Sequence, residues 1–194
     1  MRSWARSSGL RLGLFWVSAL LWAGSSHAAV GDDTERLEAH VDPRGGVRAT
    51  AHVVFPAPSH VIQAILTDYA EWPALFETKM RVASLSIDQG VATIDLRISH
   101  GLLPGERRLV SESKALANGG LVTDLKEGDF KRYHRVWMLT ATDNGSRTRA
   151  DFEMIVEIET LLPDWLVAIA IRQELAAHFR IVKEKALRRA TPGT

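Results

Sequence analysis

The chain predicts an α+β domain in which a curved antiparallel sheet wraps around a long C-terminal helix. Three observations carry that expectation. The run Val53 to Phe76 ends a strand at Pro56, continues as a short amphipathic helix and closes in the aromatic turn Thr67-Asp68-Tyr69-Ala70-Glu71-Trp72-Pro73. From Lys79 to Thr160 hydrophobicity alternates with period two, the signature of half-buried strands. After Pro163 the period changes to that of a helix and holds to Arg189. This order leaves an apolar space between sheet and helix.

Each element follows from local chemistry. Leu37, Ala39 and Val41 alternate with polar residues up to the turn Asp42-Pro43-Arg44-Gly45-Gly46, and a second alternating stretch runs Val47 to Phe55. Two strands around a Pro/Gly turn make a hairpin. Pro58 and Ser59 open the short helix, whose apolar face is Val61, Ile62, Ile65 and Leu66; Pro73 prevents its simple continuation. Six strands are then expected at Met80–Ile87, Gly90–His100, Gly105–Ala115, Gly120–Glu127, Phe130–Thr142 and Arg147–Thr160, separated by Gly-, Asn- and Asp-rich junctions. Connections this short join antiparallel neighbours. In the last strand Ala150, Phe152, Met154, Val156 and Ile158 share one face, opposite Asp151, Glu153 and Glu157, so one side of the sheet is buried and the other wet.

The closing helix, Asp164 to Arg189, places Trp165, Ala168, Ile169, Ala176, Phe179, Val182 and Ala186 opposite Gln173, Arg180, Glu184 and Arg188. At about 1.5 Å per residue it reaches roughly 39 Å, enough to cross strands of about ten residues spanning roughly 33 Å. Its first half, Trp165 to Ile171, is apolar all round. Either a hairpin loop covers that half, or it forms one wall of an apolar pocket.

The N-terminus reads differently. Arg2, Arg6 and Arg11 precede the uncharged run Leu12 to Ala23, followed by small residues ending Ser26-His27-Ala28-Ala29. A spanning helix needs roughly 20 apolar residues, and this core is shorter. The expectation is a secretory signal peptide over residues 1–28, cleaved after Ala28, then a flexible segment over 29–36 and one domain over 37–190. The localisation expected is periplasmic or secreted. Removing three arginines moves the formal charge from +1 to −2, which disfavours nucleic acid because that partner requires a basic patch. With no cysteine, neither a disulfide framework nor a lipid-attachment thiol is available, and a hydrophobic core must stabilise the domain alone.

Candidate site residues come from the faces. Trp72, Phe76, Trp137, Phe152, Met154, Trp165 and Ile169 are the apolar candidates for a cavity wall, with core packing as the plainer alternative for each. Tyr133 and Arg135 share the strand face of Trp137 and are the polar candidates, unless that strand end opens to water. Asp68 and Tyr69 read as turn-fixing residues: the carboxylate is expected to accept local backbone hydrogen bonds and the ring to pack. The histidines at 40, 52, 60, 100, 134 and 178 show no metal-ligand spacing. No nucleophile-elbow or phosphate-cradling motif is present. No catalytic residue, metal or cofactor is expected.

Three segments resemble the START-like superfamily, also called the polyketide cyclase/dehydrase and lipid-transport superfamily, which includes coenzyme-Q-binding proteins. They are PAPSHVIQAILTDYAEWPALF, then GDFKRYHRVWML with DNGSRTRADFEMIV, and LLPDWLVAIAIRQEL. Arg135 departs from the family pattern, where many relatives have Gly two residues before the Trp. The resemblance implies a helix-grip fold with a cavity for a lipid, isoprenoid, quinone or aromatic molecule. It leaves three readings open: an exported binding or carrier protein, a cyclase/dehydrase-type enzyme using Arg135 and Tyr133 to polarise a carbonyl, or an envelope protein-interaction module with a filled core. The partners expected are a hydrophobic small molecule and, transiently, a membrane surface or envelope protein, with no nucleic acid and no stable membrane span after cleavage.

Overall fold

A computed structural model describes residues 34–101, 103, 105–117 and 119–190; the expected signal peptide lies outside them. The chain runs β1 (Arg36–Val41), β2 (Val47–Phe55), α1 (Ser59–Leu66), a 3-10 helix (Tyr69–Leu75), β3 (Lys79–Asp88), β4 (Val91–Ser99), β5 (Arg107–Ala115), β6 (Gly120–Gly128), β7 (Phe130–Thr142), β8 (Arg147–Ile158) and α2 (Asp164–Ala190). Every strand begins and ends within two residues of the limits that the alternation places on it.

The eight strands form one curved antiparallel sheet in the order β1-β2-β8-β7-β6-β5-β4-β3. Register shifts between Val82 and Ser84, Val110 and Ser111, and Phe130 and Arg132 interrupt the ladder, and such bulges bend and twist strands. The sheet with its long C-terminal helix is the helix-grip arrangement.

Two devices fix the first hairpin and α1. The carboxylate of Asp42 accepts from the backbone N–H of Arg44 at 2.9 Å and from Nε of Arg48 at 3.1 Å, which closes the β1–β2 turn. The amide of Gln63 on α1 is bidentate to Gly120: Nε2 donates to the carbonyl at 2.8 Å and Oε1 accepts from the N–H at 2.7 Å. Gly120 has φ +116°, and a Cβ there would lie 2.0 Å from the carbonyl oxygen of Trp137. Only glycine lets β6 begin this close to the backbone of β7, at the residue that α1 grips through Gln63.

The residues just before β1 are held in place. Glu35 accepts from Val54 N–H at 3.0 Å and pairs with Lys183 on α2. Beyond α1, Thr67 N–H closes on Gln63 O at 3.0 Å, and the chain re-enters helix as the 3-10 turn that contains Pro73. The helix α2 packs chiefly on β1 and β2, with α1 and the 3-10 helix beside it. It therefore does not cover the whole concave face as its length would permit. Among the described residues no helix is long and apolar enough to cross a membrane.

Candidate functional site

Strand β7 sends Arg135, Trp137 and Leu139 to the concave face, all buried, with Tyr133 half-buried in line with them. Trp137 is fully buried. Phe152, its cross-strand partner, lies edge-on at 4.8 Å between ring centroids, Phe179 of α2 at 5.5 Å and Phe55 at 6.2 Å. This is a filled aromatic core.

One step along the same face the environment changes. Arg135 is only 5% exposed, and its guanidinium carbon sits 4.4 Å from the centre of the Trp72 ring. That ring is fixed: its Nε1 donates to the carbonyl of Leu66 at 2.9 Å, and Tyr69 packs on it edge-on at 5.3 Å. Burial pushes the Tyr69 phenol above its usual range, with the charge of Arg135 opposing. Nε of Arg135 has no hydrogen-bond partner, and among the described residues no carboxylate pairs with the guanidinium. Burying an ion costs several kcal/mol, while stacking on an aromatic face returns about 2 kcal/mol when desolvated. The site thus holds a cation whose charge is only partly compensated.

His178 on α2 closes the group. It is buried, stacks on Phe76 at 4.2 Å and 7° between planes, and meets Trp137 at 5.8 Å. Its Nδ1 lies 2.8 Å from the carbonyl of Leu75, an acceptor only, so the proton resides on Nδ1. Burial pushes its pKa down to about 3, leaving Nε2 as an unprotonated acceptor without a partner. The indole N–H of Trp137 is also buried without one.

Around Arg135 lies a cavity of about 120 Å³ walled by Trp72, Phe76, Tyr133, Met154 and, from the far strands, Met80, Leu96 and Leu109. A second of about 110 Å³ continues toward the loop at Leu103 and the start of α2, past Phe130, Ile158, Leu162 and Val167. The two share Ile98, Ile171 and Glu174 as walls. Glu174 accepts from Thr78 N–H at 3.3 Å and lies 3.7 Å from His100 Nε2.

Five of the nine sequence candidates therefore meet at one cavity: Trp72, Phe76, Tyr133, Arg135 and Met154. Trp137 and Phe152 belong to the filled core instead. Trp165 and Ile169 are 60% and 48% exposed, which corrects their expected place on the wall. On α2 they share a flank with Arg172 and Ala176, all exposed, whereas the cavity takes the opposite flank, Val167, Ile171 and Glu174. Asp68 also departs from expectation. Its carboxylate pairs with Arg189 at 3.2 Å because the last turn of α2 reaches it; the local backbone bond from Glu71 N–H goes to its carbonyl. The cavity walls on β3, β4 and β5 and the buried His178 were not singled out from the sequence, although a histidine beside Leu175, Phe179 and Val182 on an apolar helix stripe is a visible signal. Among the described residues no group of three potential ligands could hold a metal ion.

No protein-family model and no curated protein matches the chain. Solved structures do. A Thermus thermophilus protein superposes with TM-score 0.63 at 18% identity, covering 74% of this chain and 99% of that one. The ZhuI aromatase/cyclase from Streptomyces sp. R1128 gives 0.60 at 15%, covering 74% and 95%, and a START superfamily protein from Mycobacterium smegmatis 0.58 at 14%, covering 73% and 98%. At such identities the likeness concerns the fold, and the fold is the one these START-superfamily and aromatase/cyclase structures share.

Proposed function

We propose that this chain is an exported binding or carrier protein that holds a hydrophobic small molecule, of lipid, isoprenoid, quinone or aromatic type, between the sheet and α2. The observation that carries the reading is the apolar cavity walled by Trp72, Phe76, Met154 and Ile171 around one buried polar group, Arg135. A site of mostly apolar wall with few placed polar groups is what small-molecule recognition needs. Each cavity is smaller than the roughly 300 Å³ at which such sites begin, so a ligand enters by displacing side chains. Met80 and Met154, unbranched and adaptable, are the walls best suited to yield. Export rests on the leader-like residues 1–28, and a precursor that is shortened and recovered outside the cytoplasm is its expected result.

The test is to purify the mature chain from its own host and extract it into organic solvent for mass spectrometry. A stoichiometric lipid-like species is expected. Absence of any such species, together with no binding of apolar probes, would overturn the reading.

A second reading is a cyclase/dehydrase-type enzyme, favoured by Tyr133 and Arg135 lining the same cavity and by the likeness to the aromatase/cyclase. There Arg135 and Tyr133 would polarise a substrate carbonyl. Arg135→Met and Tyr133→Phe should then abolish turnover while binding stays measurable. The third reading, a docking module for an envelope partner, called for a filled core, and the two cavities count against it.

A further inference from the structure

We propose that the inner cavity is a receptor for a singly charged oxygen anion, and that its ligand is an amphiphile whose carboxylate head seats on Arg135. The apolar body would extend along Ile98 and Ile171 toward Leu103 and Leu162. This rests on the carrier reading of the same cavity and adds the chemical class of the ligand.

The argument begins with what Arg135 lacks. A guanidinium has five N–H donors and cannot discard its proton. Here it is buried, Nε has no acceptor, and no carboxylate among the described residues pairs with it. The Trp72 ring answers part of the charge and none of the donors, because a ring face is no substitute for an oxygen. The polar side chains nearest along the sheet are engaged or differently placed. Thr123, opposite Arg135 in register, is bonded to Ser113 Oγ at 2.7 Å. Glu174, the carboxylate on the cavity wall, is held by Thr78 N–H. A neutral carbonyl would supply an acceptor and leave the charge unanswered; a carboxylate supplies both and suits the planar fork. Arg135 is the one cation among the residues that line this cavity, and Glu174 already brings a carboxylate to the same wall, so a doubly charged phosphate is disfavoured.

Arg107 is the other cation at the paired cavities. It lines the outer one, is half-exposed, and also borders the surface depression beside Lys131, Glu157 and Glu159. Its Nε, like that of Arg135, has no hydrogen-bond partner, but the side chain is half-exposed and water can answer its charge. The head therefore belongs to the inner cation.

The experiment compares decanoate with methyl decanoate by titration calorimetry on the mature protein, below the concentrations at which either aggregates. The ester keeps the chain and the carbonyl but not the charge. Decanoate is expected to bind about tenfold tighter or more, the worth of a charge-assisted hydrogen bond. Arg135→Met should bring the ratio to about one while ester binding changes by less than about threefold; Arg135→Lys should retain part of the preference, and Arg107→Gln all of it. Equal affinities in the native protein would overturn the proposal while leaving the carrier reading intact. So would a preference that survives Arg135→Met, or one lost with Arg107→Gln alone. Should neither compound bind, the proposal falls, and the carrier reading is decided by the solvent extraction. The native comparison needs no variant to fold.

Discussion

Trp137 and Arg135 stand two residues apart on one strand, face the same side of the sheet, and meet opposite surroundings. Trp137 lies beneath the C-terminal half of α2, where Phe179 and Val182 come down between Phe55 and Phe152 and leave no space. Arg135 lies beneath the 3-10 helix and the N-terminal half of α2, where Trp72, Ile171 and Leu175 stand around a void. Both positions obey the alternation of β7, so the sheet does not decide which is filled. The covering element does: α2 packs on β1 and β2 and so leans toward one edge, leaving the strands toward β3 to be covered by less.

The filled end should respond to truncation as a core. Trp137→Ala removes a fully buried indole from a cluster of three phenylalanines, and the expected loss is about 3–5 kcal/mol, read as a lower urea midpoint with an unchanged slope. A loss under about 1 kcal/mol would mean that this end is not packed as described and would remove the contrast.

His178 bridges the two ends, and pH isolates it. Above pH 6.5 the imidazole is neutral in both folded and unfolded chains and adds no pH dependence. As pH falls below that, the unfolded chain takes up a proton that the native one refuses until about pH 3. The unfolded state binds more protons across this window, so stability is lost on acidification at about 1.4 kcal/mol per pH unit. Urea titrations of native protein and His178→Gln at pH 7, 6, 5 and 4 should diverge by about 2–3 kcal/mol between pH 6 and 4, the variant being the less acid-sensitive. Parallel curves would place the imidazole in contact with water.

Much of this contrast was legible in the sequence, but not all of it. Period-two alternation fixed which residues of β7 and β8 face inward, and the Pro/Gly turns set the strand limits. Alternation names a face; it does not say how far along that face a helix reaches. The nearly uniform apolar character of Trp165 to Ile171 also hides the rotation of α2, since either flank could go inward. That rotation is set further along, where Leu175, Phe179, Val182 and Ala186 are buried. Extending their stripe backwards brings Ala168 inward, with Val167 and Ile171 toward the cavity and Trp165 and Ile169 on the other side. The walls on β3 to β5 were beyond reach for a different reason: their distance from α2 depends on the curvature of eight strands together.

At the cavity end the expected stability effect is smaller and of opposite sign. Arg135→Met exchanges a buried, unpaired charge for an apolar chain of similar length. Its stability should equal the native value or exceed it by up to about 2 kcal/mol. Such a gain, accompanied by lost selectivity for the anion, is the trade expected where a binding group is kept at the expense of folding. A loss comparable to that of Trp137→Ala would make Arg135 a structural residue.

The smallest effect is expected where the aromatic candidate proved to lie outside both environments. Trp165 and Ile169 are both exposed, and no aromatic ring packs on Trp165 among the described residues. Trp165→Ser and Ile169→Ser should each change stability by less than about 0.5 kcal/mol, and binding of decanoate or its ester by less than about twofold. If either substitution weakened binding of the acid and the ester equally, the exposed flank of α2 would move inward when the cavity fills. The division between a filled end and an open end would then describe the empty protein only, and the ligand-bound form would have a third wall drawn from the flank that now faces solvent.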